Sequence, residues 1–202
     1  MPDTGAPWNI PYVASTDLVS DWPADSLALA NAIDAGLDAA GGLVAVKHAL
    51  FTGTQTNSTA AGANFAVTDL SITHEVADAS NKLIISAYFG VAGQDEDRGS
   101  VGIAVYDGTS LIGIGAAASN RTQVGAGGRV AVLDATYGPT VVTMPSITFV
   151  HTPGSGSKTY TVRAINVSTN TATVYINRSE ADADNAANSR GSSGFVIQEV
   201  KA

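Results

Sequence analysis

Across 202 residues the chain carries 18 acidic and 10 basic side chains, a formal net charge of −8, with 45% hydrophobic and only 14% charged residues. That length suits one sizeable domain with an appendage and falls short of two ordinary domains. The acidic balance argues against a nucleic-acid-binding role, because basic residues supply most of the affinity for a phosphate backbone, and the lack of cysteine excludes disulfides, thiol chemistry and cysteine metal sites.

The chain opens Met1-Pro2-Asp3-Thr4, with neither the basic start nor the apolar stretch of a secretory signal. No run reaches the roughly 18 consecutive apolar residues of a membrane span, so membrane insertion is not expected. Prolines at 2, 7, 11 and 23 restrict the backbone and remove N–H donors, which predicts an extended segment. Both tryptophans of the chain, Trp8 and Trp22, lie there with Tyr12. Amphipathic aromatics gain most on entering an interface, and two outlets stand open for them: a groove on another protein or the chain's own core.

From Asp21 the pattern turns helical, with Asp21 as N-cap, Pro23 in the first turn, an alanine- and leucine-rich interior and a stop at Gly41-Gly42. Ala30, Ile33 and Leu37 fall on one narrow apolar stripe. So short a stripe needs support from the following domain or from copies of itself around an axis.

Beyond Gly42 the period shortens to two. Ten strands are predicted: 43–52, 65–76, 82–92, 101–106, 111–118, 129–133, 140–150, 159–166, 171–178 and 194–200. Asp107-Gly108 signals a tight hairpin, and Asn170 suggests a second one between Val167-Ser168 and Ala172-Thr173. Tyr160, Val162 and Ala164 alternate with Thr159, Thr161 and Arg163, as half-buried strands require. No helical pattern separates the strands, which leaves an antiparallel β-sandwich or jelly roll over 43–202, preceded by an extended arm and short helix over 1–42. Residues 52–64, 121–128 and 179–193 read as small polar loops, Gly113-Ile114-Gly115 as part of a strand, and Gly125-Ala126-Gly127-Gly128 as a turn.

Chemistry-bearing motifs are sparse. His48, His74 and His151 have no metal-motif spacing, and the acidic stretches Asp95-Glu96-Asp97 and Asp182-Ala183-Asp184-Asn185 lack the EF-hand pattern, so no metal and no cofactor are expected. His74 and Glu75 are neighbours in a predicted strand and should face opposite ways, a poor geometry for joint acid–base work. No nucleophile elbow or phosphate-binding loop is present. Catalysis would require carboxylates gathered from separate strands, as in glycosidases, and no pair is identifiable.

The opening, with Pro11-Tyr12-Val13, Asp17-Leu18-Val19, Asp21-Trp22-Pro23, the run from Leu27 to Ile33 and Asp38-Ala39-Ala40-Gly41, resembles the N-terminal attachment region of small structural proteins of tailed bacteriophages. The β-rich part, through 69–73, 81–86, 102–108 and 194–200, is similar to the jelly-roll heads of phage fibres and virion appendages. The resemblance implies a non-enzymatic virion protein, assembled in the host cytoplasm and carried on the virion surface as a homotrimer. Trp8, Tyr12 and Trp22 would attach to a capsid or tail protein, and Ala30, Ile33 and Leu37 would join the copies. No shaft repeat separates helix from head, which points to a short fibre, a capsid decoration or an adaptor. Host-surface glycans would meet Asn57, Gln94, Asp95 and Arg98, Asn120, Arg121 and Gln123, and Asp182, Asp184 and Asn185, whose polar groups suit a sugar. A carbohydrate-binding sandwich unrelated to a virion is the alternative, with a glycoside hydrolase third.

Overall fold

The computed structural model describes residues 26–33, 42–95, 99–129, 142–186 and 188–202. Residues 26–33 form a helix, α1, on which Leu27 and Ile33 are exposed. Twelve strands follow: β1 (Leu43–Phe51), β2 (Gln55–Thr59), β3 (Asn64–Val76), β4 (Lys82–Tyr88), β5 (Ala92–Gln94), β6 (Ser100–Tyr106), β7 (Leu111–Ile112), β8 (Ala126–Arg129), β9 (Ser146–His151), β10 (Gly156–Val167), β11 (Ala172–Ile176) and β12 (Ser193–Val200).

Every pairing between these strands is antiparallel. One sheet has the order β1-β12-β4-β9, a second has β3-β10-β6-β7 with β8 also on β6, and a small third has β2-β11-β5. With the third sheet set aside and β7 and β8 sharing one position, the two main sheets read 1-8-3-6 and 2-7-4-5. That is jelly-roll order, the two-sheet solution to burying one face of each sheet.

The core lies between the sheets. Leu83 and Ile85 of β4 and Phe195 and Ile197 of β12 are fully buried, as are Leu70 of β3, Tyr160 and Val162 of β10, and Ile103 and Val105 of β6. Burying one such side chain contributes about 2 kcal/mol, so the apolar pattern of these strands outweighs weak local propensity; β4 alternates strictly, whereas residues 101–105 of β6 are all buried. In β3 the alternation changes phase once. Phe65 and Val67 point inward, then Leu70, Ile72, His74 and Val76 do. Between them Asp69 adopts φ 59°, and the pairing with β10 shifts register between Thr161 and Arg163, a bulge that keeps both halves of the strand facing the core.

The Asp107-Gly108 hairpin forms as expected. Val105 pairs Ile112 and Tyr106 pairs Leu111, Gly108 takes φ 95°, and Asp107 Oδ1 accepts from Thr109 N, Thr109 Oγ1 and Ser110 N. The expected hairpin at Asn170 does not. β10 pairs with β3 and β6, whereas β11 pairs with β2 and β5, so the 168–170 turn carries the chain from one sheet to another. Asn166 imposes this exit, because its Nδ2 donates to Thr59 O and Asn170 O.

Three further expectations are corrected. Residues 55–59, read as loop, form β2 because Thr56 to Thr59 find a ladder on β11. The glycine-rich 126–129 stretch, read as a turn, is β8, and its two glycines suit close packing, since a Cβ on Gly128 would collide with the Thr143 side chain. Strand 111–118 stops at Ile112, because Gly113 turns to φ 67° beneath the Phe149 ring.

Candidate functional site

The predicted site residues fall in separate places. Trp8, Tyr12, Trp22, Leu37 and Arg98 lie outside the described residues. Ala30 and Ile33 are exposed on α1. Asn57 is no loop residue: it sits half-buried in β2 opposite Val174, and its Oδ1 accepts from Thr59 Oγ1 at 3.0 Å. Gln94 is likewise removed from any surface contact. Only 2% exposed in β5, it donates from Nε2 to Asn166 Oδ1 at 2.6 Å. Asp95 follows it onto the surface and accepts from Thr173 N at 2.7 Å, fastening the β5 end to β11.

Asn120 and Arg121 stand exposed in the connection between β7 and β8, where Gln123 Nε2 donates to Gly115 O at 2.7 Å. Asp182 is held from two sides. Arg190 donates through Nε and a terminal guanidinium nitrogen to its two oxygens, each at 2.8 Å, and Arg178 Nε lies 3.4 Å away. The Arg178 guanidinium also lies over the Tyr175 ring at 5.1 Å and donates to Ser179 O and Glu180 O. Asp184 and Asn185 continue this loop into solvent and line an open cleft of about 430 Å³ with Asn188 and Arg190. The structure thus leaves two predicted loops as polar surface, 120–123 and 182–185, and consumes Asn57 and Gln94 in the framework.

Sequence reasoning missed the strongest polar constellation. His74 and Glu199, each 1% exposed, meet across the sandwich with Nε2 to Oε2 at 2.8 Å. Glu199 Oε1 accepts from Ala77 N at 2.9 Å and Asn81 Nδ2 at 2.7 Å. A carboxylate acceptor places the proton of the imidazole on Nε2. Burial pushes the Glu199 pKa up, but the hydrogen bonds from Asn81, His74 and Ala77 N outweigh it and hold the carboxyl below its ordinary range. The expectation that His74 and Glu75 face apart is met, since Glu75 is exposed. The real partner lies 125 residues away on β12, beyond any local spacing signal.

A second group, Asp107, His151 and Tyr160, stands by the β6–β7 hairpin. The His151 and Tyr160 rings meet edge to face at 6.0 Å. Burial and, secondarily, the Asp107 carboxylate push the Tyr160 hydroxyl up to about 12, which disqualifies it as an acid–base group near neutrality. Burial lowers the His151 pKa, and Lys158 adds to that while Asp107 opposes it. Among the described residues no three His, Asp or Glu side chains gather to hold a metal ion, and no helix is long and apolar enough to cross a membrane.

No family model and no curated protein sequence matches the chain. Among solved structures it is similar to a chain in the "Structure of infectious bursal disease virus Gx strain", with TM-score 0.37 and 8% identity over 79% of this chain and 41% of that one. The chain therefore spans less than half the length of that viral chain. A likeness at this TM-score and identity carries no inference by itself.

Proposed function

We propose that the chain is a non-enzymatic structural protein of a virion, a short fibre or a capsid or tail appendage whose residues 1–42 attach it and whose jelly roll forms a displayed head. The observation that carries the reading is how the buried polar groups are used. Glu199, Asn166 and Asn177 each spend their hydrogen bonds on tying strands and turns together, and none is presented toward a substrate. The fold is compatible, since jelly rolls serve capsids, lectins and other functions. The aromatic-bearing N-terminal residues and the phage-fibre resemblance support the virion reading among these.

Attachment is tested by truncation. Removing residues 1–22 takes away Trp8, Tyr12 and Trp22 and is expected to abolish incorporation into particles while the β circular-dichroism signal persists. A truncated head present at full stoichiometry would show that the anchor lies elsewhere.

Host recognition, where the head performs it, falls to the 120–123 and 182–185 loops, with their amide, carboxylate and guanidinium groups. The cleft beside Asp184 and Asn185 also favours the second reading, a glycan-binding head independent of any particle. Grouped alanine substitution of Asn120, Arg121, Asp184 and Asn185 is expected to lower adsorption of particles to host cells at least several-fold. Unchanged adsorption would leave a decoration or adaptor role.

A further inference from the structure

The two outer faces of the sandwich differ in how much apolar side chain they expose. On the β3-β10-β6 sheet the outward positions form a hydroxyl ladder, Ser71 with Thr161 at 3.0 Å and Thr73 with Thr159 at 2.9 Å, flanked by the exposed Glu75. That is ordinary solvated sheet surface. On the β1-β12-β4-β9 sheet the register places Val46, Gln198, Ile84 and Val150 in one outward row. Leu50, Gly194, Tyr88 and Ser146 form another, and Val46, Leu50, Tyr88 and Val150 are 49%, 55%, 42% and 62% exposed. Between the two runs lies a more polar row of His48, Val196, Ser86 and Thr148, in which the Ser86 and Thr148 hydroxyls meet at 3.0 Å.

We infer that this apolar outer face is where a second copy of the chain docks. Two observations favour a copy over other occupants. The face is flat: Tyr88 lies down over Gly194, where a Cβ would sit 2.5 Å from its ring, and a flat face mates with another flat face more readily than with an extended peptide. It holds no carboxylate, only Lys82 and His48, in a chain with 18 acidic residues. Two copies of net charge −8 meet least repulsion where neither presents an acid. The inference stands independently of a virion role, and it places the contact between copies on the sheet rather than on α1 alone.

The test uses the full chain, whose freedom from cysteine makes single thiols clean reporters. Light scattering coupled to size exclusion at micromolar concentration is expected to give at least twice the single-chain mass. Val46→Cys is expected to react with a maleimide at least ten-fold more slowly than Thr159→Cys on the opposite sheet, and Val46→Glu with Val150→Glu is expected to bring the mass down to one chain with the β circular-dichroism signal retained. Should the double variant fail to fold, the thiol comparison decides alone. A multimer in which both thiols react equally fast would overturn the inference in favour of another contact surface. A monomer with both thiols reactive would overturn it outright, and a monomer with Val46→Cys protected would assign the face to the chain's own residues 1–25.

Discussion

Replacing Asn177 with alanine is expected to destabilise the fold by about 4 kcal/mol, measured by chemical denaturation, because this one side chain closes four segments onto each other. Its Nδ2 donates to Phe51 O at 2.8 Å and Gly53 O at 2.9 Å, and its Oδ1 accepts from Ser193 Oγ at 2.6 Å. Its backbone joins the same knot, with Asn177 N donating to Val91 O and Gly191 N donating to Asn177 O. The residue is fully buried and Phe51 and Ser193 are buried with it, so those two partners find no water when alanine strips them, while Gly53 lies at the surface. Asn177 also holds φ 61°, where asparagine is tolerated and alanine costs about 1 kcal/mol. Asn177→Gly removes the same side-chain bonds without that backbone cost and is expected to be about 1 kcal/mol milder. Asn177→Asp sets a carboxylate oxygen against two carbonyls and is expected to be the worst of the three. Equal stability of the alanine and asparagine proteins would mean that neither the hydrogen bonds nor the backbone conformation matters.

Asn177 also shows what was legible in the sequence and what was not. The alternation of Ala172, Val174 and Ile176 against Thr173 and Tyr175 marks β11 correctly, since all three apolar residues are buried. The same alternation would send Asn177 outward, yet its positive φ ends the strand and turns it into the core. A period-two pattern reports burial of apolar side chains, so it finds β4, β10 and β12, a continuous apolar run finds β6, and both are blind to strands held by hydrogen bonding alone. Gln55-Thr56-Asn57-Ser58-Thr59 has no apolar residue to betray β2, and Ala92-Gly93-Gln94 is too short to show a period at all.

The receptor candidates failed for the same reason where they failed. Gln94 spends its polarity inside the fold on Asn166 across 72 residues, whereas Asn57 is half-buried, its backbone laddered to Val174 and its side chain bonded to Thr59 two residues on. Asp184, Asn120 and Arg121 lie in stretches with no ladder to join and remain at the surface. The apolar outer face of the β1-β12-β4-β9 sheet was foreseeable only as low charge, because strand order decides which valines and leucines share a side.

Glu199 makes the fold sensitive to acid in a defined direction. Its carboxyl lies below the ordinary 4.5 in the folded chain, so folding favours the ionised form. The stability it contributes is therefore complete above about 4.5, the value expected once unfolding exposes it, and is lost as pH falls through the lower folded value. Unfolding free energy measured in denaturant from pH 6 downward should be level in this contribution until about 4.5 and then decline. Glu199→Gln should flatten that part of the decline. At neutral pH the glutamine variant is expected to lose only about 1–2 kcal/mol, because the amide oxygen can still accept from Ala77 N and Asn81 Nδ2, and His74 can turn its Nε2 into an acceptor by moving its proton to Nδ1. Glu199→Ala strands the imidazole and the Asn81 amide inside the sandwich, takes the acceptor from Ala77 N at its edge, and is expected to cost about 3–5 kcal/mol. An alanine variant as stable as the glutamine variant, or an acid limb that Glu199→Gln leaves unchanged, would mean that the His74–Glu199 contact does not hold β3 and β12 together.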